Sequence, residues 1–272
     1  MTPSAKEYRQ GLSKKESFLI SSLAREDKSI FTIDDARKHI PTNTKEVMYS
    51  LVRKKWVLPL QRGLYAIVPM DIGANGADSF ILHSFVIASY LVEPYYIGFW
   101  SALNHHGLTE QIPRTTFVAT TKVKKRVDIL NSEYYFVRLQ RKKFFGMQQV
   151  EIEGWVINIS TKEKTTADCL DHPEHAGGIE EVARGIYFNE KDVDIEQIFE
   201  HGRTMGNITI LKRLGYILEK TGMMERYHDL FTDFRPSKGY TALDPLSPRK
   251  GYYNSTWGLL INFDLKPEGW MY

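Results

Sequence analysis

Three helix-start signals followed by a glycine-turned hairpin, all within the first seventy residues, restrict what this chain can fold into more than any other feature. Ser13 with Glu16 and Thr32 with Asp35 have the spacing at which a cap hydroxyl and a returning carboxylate satisfy each other's backbone N–H groups. Asn43 with Glu46 repeats the pattern. Behind each lies an apolar set at helical spacing: Phe18, Leu19, Leu23 and Ala24; then Ile33, Ala36 and Ile40, stopped by Pro41; then Val47, Met48, Leu51 and Val52 in a helix expected to reach Lys55. Two short β-type runs follow, 57–60 and 64–68, joined by Gln61-Arg62-Gly63, where glycine supplies the positive φ of a hairpin loop.

Helix, helix, helix, hairpin is winged helix-turn-helix order, expected over residues 1–72, in which the third helix enters a DNA major groove. At 100° per residue Glu46, Tyr49, Ser50 and Arg53 oppose the apolar side, with Lys45 and Lys54 at its edges. Arg53 can pair bidentately with guanine, Tyr49, Ser50 and Lys54 can reach phosphates, and Gln61 and Arg62 form the wing tip, with Arg62 able to enter a minor groove. A solvated helix face or a protein-docking helical unit accounts for the same pattern.

Charge adds weight to the nucleic-acid reading. The net charge is only +3, yet residues 1–70 carry 13 basic against 7 acidic side chains, and residues 114–143 carry 9 against 2. With 272 residues, 42% of them hydrophobic, there is material for one large or two ordinary domains. A lone cysteine, Cys169, excludes an intrachain disulfide and suits a reducing cytoplasm. The most apolar stretch, 80–103, is interrupted by His83, Glu93 and Pro94, so no membrane span is expected; no apolar run follows the N-terminal charges, so no secretory signal is expected either.

A linker is expected at Ala74-Asn75-Gly76-Ala77, and then a second, α+β domain over residues 78–272. Its expected helices begin with one from Asp78 to Leu91 and continue at 99–107, 165–170, 179–188, 195–200, 208–220 and 225–234; strands are expected at 115–121, 134–139, 148–152 and 155–159. Between those strands lie Lys122, Lys124, Lys125, Arg126, Arg138, Arg141, Lys142 and Lys143, interleaved with Tyr134, Tyr135, Phe136, Phe144 and Phe145. They form either a second nucleic-acid surface or solvated hairpin tips.

Catalytic signatures are missing. No Walker A loop, Gly-x-Gly-x-x-Gly or His-Glu-x-x-His occurs, nor the Gly-Ser dipeptide that a nucleotidyltransferase site requires. Ser247-Pro-Arg-Lys250 matches Ser-x-x-Lys only formally. Cys169, His172 and His175, near Asp168, Asp171 and His105-His106, have ligand-type chemistry, but Pro173 breaks the helix between the histidines, and the expectation is no metal and no cofactor. Thr165, Thr166 and Asp168 read as a helix N-terminus capped by threonine.

QRGLYAI (61–67), YIGFWSALNHHGL (96–108), STKEKTTADCLDHPEHAGGIEEVARGI (160–186), KRLGYILEKTG (212–222) and YTALDP (240–245), in this order and spacing, resemble the AbiEi family, the antitoxin half of abortive-infection toxin–antitoxin systems. The resemblance covers nearly the whole chain and implies a winged helix that binds repeats in its own promoter, with a C-terminal domain that neutralises a neighbouring nucleotidyltransferase-like toxin. The expectation is a non-enzymatic transcriptional autorepressor and antitoxin. Its partners would be double-stranded operator DNA with inverted repeats, bound by two copies, and the cognate toxin. The alternative is an enzyme acting on toxin or nucleic acid, with the winged helix as its targeting module.

Overall fold

The computed structural model of the chain describes residues 9–72 and 80–270, which fall into two compact units, Met1–Leu82 and His83–Tyr272. The expected linker at 74–77 and the first residues of the helix expected from Asp78 lie outside the described residues. Among the described residues no helix is long and apolar enough to cross a membrane. The α+β expectation holds.

In the first unit, α1 (Lys14–Arg25) and α2 (Ile33–His39) both open with complete capping boxes, Ser13 with Glu16 and Thr32 with Asp35. The third signal fails. Asn43 sits in the left-handed region at φ 59° and caps nothing; α3 runs Thr44–Arg53, two residues short of expectation, and the Thr44 hydroxyl donates instead to the Ile40 carbonyl at 2.6 Å. β2 (Val57–Gln61) and β3 (Leu64–Ile67) form the expected hairpin. Strand β1 (Ile30–Thr32), absent from the sequence reading, pairs with β3, so the sheet order is β1-β3-β2. Leu19, Leu23, Phe31, Ala36, Met48, Leu51 and Val57 close the core beneath it.

The second unit is built on a six-stranded mixed sheet, β6-β7-β5-β4-β9-β8, from β4 (Tyr95–Ile97), β5 (Thr115–Thr120), β6 (Val127–Ile129), β7 (Ser132–Arg138), β8 (Met147–Ile152) and β9 (Trp155–Ser160). β4 runs parallel to β9 and antiparallel to β5; β5 and β7 run parallel over six residue pairs. Helix α4 covers only Ser84–Ser89, shorter than expected: it starts late, after His83, whose Nδ1 caps it by accepting from the Phe85 N–H, and it ends as the chain turns at Tyr90. α5 (Phe99–His105) follows β4.

The helical layer comprises α6 (Lys162–Asp171), α7 (Ile179–Phe188), α8 (Ile195–Met205), α9 (Ile208–Lys220) and the single turn α10 (Met224–Tyr227), where a helix to Phe234 was expected. Thr161, not Thr165, caps α6 by accepting from the Lys164 N–H, so Thr165, Thr166 and Asp168 lie buried inside the helix; this corrects the helix-start reading. A small C-terminal sheet, β10 (Thr241–Ala242), β12 (Leu259–Ile261) and β11 (Tyr252–Asn254), adds its apolar centre to the same core.

Buried Arg213 ties this layer together. Its guanidinium donates to the carbonyls of Leu170 (2.6 Å), Asp171 (3.1 Å), Ala242 (3.0 Å) and Leu243 (3.0 Å), joining the end of α6 to β10. Burial lowers its pKa to about 10, which leaves it charged at neutral pH.

Candidate nucleic-acid interface

On α3, Thr44, Val47, Met48 and Leu51 turn to the core, and Lys45, Tyr49 and Arg53, four residues apart, form one exposed stripe; Tyr49 is 70% exposed. Arg62 is exposed at the tip of the hairpin. There Gly63, at φ 81°, accepts a bond from the Ile33 N–H through its carbonyl (2.9 Å), pinning the tip to the start of α2. Gln61 is half-buried, paired with Leu64 across the turn. Lys45, Tyr49, Arg53 and Arg62 are thus available to a large ligand.

Ser50 and Lys54 are committed differently. Lys54 Nζ lies 2.6 Å from Glu16 Oε2, whose side chain is 4% exposed, and Ser50 adds a further hydrogen bond to the same carboxylate. Glu16 also accepts from the Ser13 N–H at 2.6 Å. Burial raises the pKa of Glu16, but these bonds outweigh it and hold it at about 2. The capping carboxylate of α1 is therefore also the anchor that orients α3. Sequence spacing hides this, because the partners are 38 residues apart. Arg9, which no local signal picks out, packs its guanidinium 4.4 Å from the centre of the Trp56 ring and donates to the carbonyls of Val68 and Pro69, holding the start of α1 to the hairpin.

The second basic cluster divides in the same way. Lys124 donates to the Leu91 carbonyl (2.6 Å), Arg126 pairs with Glu133 (2.6 Å), and Lys143 pairs with buried Asp171 (2.5 Å). Lys125 and Lys142 face solvent. Lys122, Arg138 and Arg141 line an open depression of about 930 Å³ at the C-terminal ends of the parallel strands β5 and β7, together with Thr121 and Gln140 and with no carboxylate in the lining.

Past its half-buried first turn, Lys162 and Glu163, the titratable groups of α6 are buried. Lys164, 0% exposed, pairs with Asp168, and the Tyr96 hydroxyl donates to Asp168 at 2.7 Å and accepts from Lys164 at 3.0 Å. Burial raises the pKa of Asp168 despite Lys164 and Tyr96, and the Tyr96 hydroxyl is pushed far up. The Cys169 thiol is fully buried and likewise raised. All four side chains are closed off from solvent.

One cluster departs from expectation. Pro173 does not separate the histidines; it opens a 3₁₀ turn, Pro173–His175, that folds the chain back so that His172, Glu174 and His175 bring ligand-type atoms within 4.8 Å of one another. The sequence reading included Cys169 and omitted Glu174, and the structure does the reverse. His106 instead spends its Nε2 on the Ser160 carbonyl (2.7 Å) and does not join the group.

No protein-family model matches the chain, and no curated protein does. Among solved structures, the crystal structure of the RV2827C protein from Mycobacterium tuberculosis superposes with a TM-score of 0.68 at 16% sequence identity, covering 95% of this chain and 94% of that one. The two chains share a fold over nearly their whole lengths.

Proposed function

We propose that this protein is a DNA-binding transcriptional autorepressor and antitoxin, with the first unit on operator DNA and the second against a nucleotidyltransferase-like toxin. The observation that carries the DNA half is the stripe Lys45, Tyr49 and Arg53 on α3, exposed beside a hairpin whose tip presents Arg62. Helix, strand, helix, helix, hairpin is the element order of a winged helix, in which the third helix is the groove reader and the hairpin the wing. The excess of basic residues over 1–70 supplies the phosphate term that gives such a small unit its affinity. Two copies on inverted half-sites multiply that affinity. Ser50 and Lys54 act in this reading by setting the angle of α3 rather than by touching DNA. The antitoxin half rests on the resemblance to the AbiEi family.

The test is a gel shift on the DNA upstream of the gene at two salt concentrations, with scrambled DNA as competitor. Selective, salt-sensitive retardation is expected; folded protein that retards both DNAs alike overturns the operator reading. Co-expression with the adjacent reading frame tests the antitoxin half, which fails if growth is not restored.

A further inference from the structure

His172, Glu174 and His175 occupy a single turn between α6 and α7, all three half-buried at the surface. His172 Nδ1 already stands 2.9 Å from Glu174 Oε1, and its other nitrogen, Nε2, faces Asp171 Oδ2 at 3.5 Å. A carboxylate behind the far nitrogen of a histidine is the arrangement that fixes the tautomer and orientation of a metal-binding imidazole. Asp171 is itself fixed by Lys143 (2.5 Å) and Asn207 (2.5 Å). The supporting shell is therefore in place.

The walls are apolar. His175 packs against Phe99, Phe117 and Tyr135 with ring centroids 5.1–5.7 Å apart, and Phe99 meets His172 edge-on at 6.3 Å. Phe99 reaches this place in a left-handed conformation, φ 53°, which a bulky residue rarely adopts and which is retained only where surrounding packing enforces it. Past the turn, Gly177 at φ 80° lies so close to Trp100 that a Cβ there would stand 2.9 Å from the indole. The backbone that presents the three ligands is thus held from both sides.

We infer that His172, Glu174 and His175 form a binding site for a divalent transition-metal ion of the zinc class, with Asp171 orienting His172 and water completing the coordination. Two imidazoles and one carboxylate are the donors of an open, three-ligand zinc site. Ligands about 2.0–2.1 Å from a tetrahedral ion stand about 3.4 Å apart, and the three donor atoms here already lie within 4.8 Å of one another. Hard cations such as Mg²⁺ call for an oxygen-rich cage and are not expected to bind.

The test is zinc binding by the tag-free, chelator-treated full chain, followed by equilibrium dialysis against Zn²⁺ and by the visible spectrum of the Co²⁺ form. One ion per chain is expected, with affinity reduced about tenfold or more in His175→Ala and in Glu174→Gln. The glutamine variant keeps the shape of the turn and serves if the alanine variant fails to fold. Zn²⁺ should raise the melting temperature of the parent chain more than that of the variants. Zinc uptake that is absent, or unchanged in folded Glu174→Gln and His175→Ala, overturns the inference. None of these readouts depends on DNA or toxin.

Discussion

Lys54, at the C-terminal end of α3, reaches 2.6 Å from Glu16 in the first turn of α1, so the cap of one helix and the orientation of another depend on a single carboxylate. The dependence fixes a pH response. Folded Glu16 has its pKa held at about 2, against about 4.3 for an unperturbed glutamate. A folded value below the unfolded one gives stability that is complete above the unfolded pKa and is lost as pH falls from there through the folded value. Asp35, held well below the usual carboxylate range by Thr32, Lys28 and Lys38 despite burial, acts in the same direction. The melting temperature should fall between pH 6 and pH 3, and the fall should be smaller in Glu16→Gln, measured by thermal unfolding at both pH values.

Contact and support on α3 should separate by mutation. Arg53→Ala removes an exposed guanidinium and is expected to weaken operator binding about tenfold, within the ~1–3 kcal/mol of a bidentate base contact, with the melting temperature unchanged. Lys54→Ala leaves Glu16 buried without its cation and should lower stability by about 1–3 kcal/mol. Parallel gel shifts and melts of both variants test the division; an Arg53→Ala protein with unchanged operator affinity sinks the role given to that side chain.

Inside the second unit, Lys164 and Asp168 are expected to be strongly coupled. Lys164→Met alone, or Asp168→Leu alone, strands a buried charge and should cost about 3–5 kcal/mol, whereas the double variant should lose clearly less than the sum. Urea unfolding of the four proteins closes the cycle, and additive losses would rule out the pairing as the dominant interaction.

Gly215→Ala should destabilise by about 1–3 kcal/mol or more, because a Cβ at that point of α9 would stand 2.0 Å from the Trp257 ring. Trp257 also donates its indole N–H to Glu219 one turn further on, so the ring cannot simply slide away. In a Trp257→Leu background the same glycine substitution should cost much less, which urea midpoints will show.

The parts of this fold that were legible in the sequence are those governed by neighbours three or four residues away. The boxes at Ser13 and Thr32, the hairpin at Gly63 and the helices 179–188 and 208–220 all have their determinants inside their own segments. Strands β1, β4 and β6, three residues each, are too short to show an alternation and exist because a partner strand lies beside them. Asn43 had the composition of a cap, but its backbone turned left-handed. The stripe Lys45, Tyr49 and Arg53 followed from the apolar period of α3, while the diversion of Ser50 and Lys54 to Glu16 required the tertiary fold. Glu174 carries no spacing signal of its own, because it meets His172 and His175 only through the turn that Pro173 opens.

The place of β4 in its sheet bears on how the second unit is assembled. This earliest strand of the unit lies in the interior, bonded on one side to β5, some twenty residues later, and on the other to β9, some sixty residues later. As the chain leaves the ribosome, one flank of β4 closes early and the other stays an open row of backbone donors and acceptors until residue 160 has been made. A fragment ending before β9 leaves that flank of β4, where Ile97 pairs with Ile159 in the finished sheet, an open strand edge.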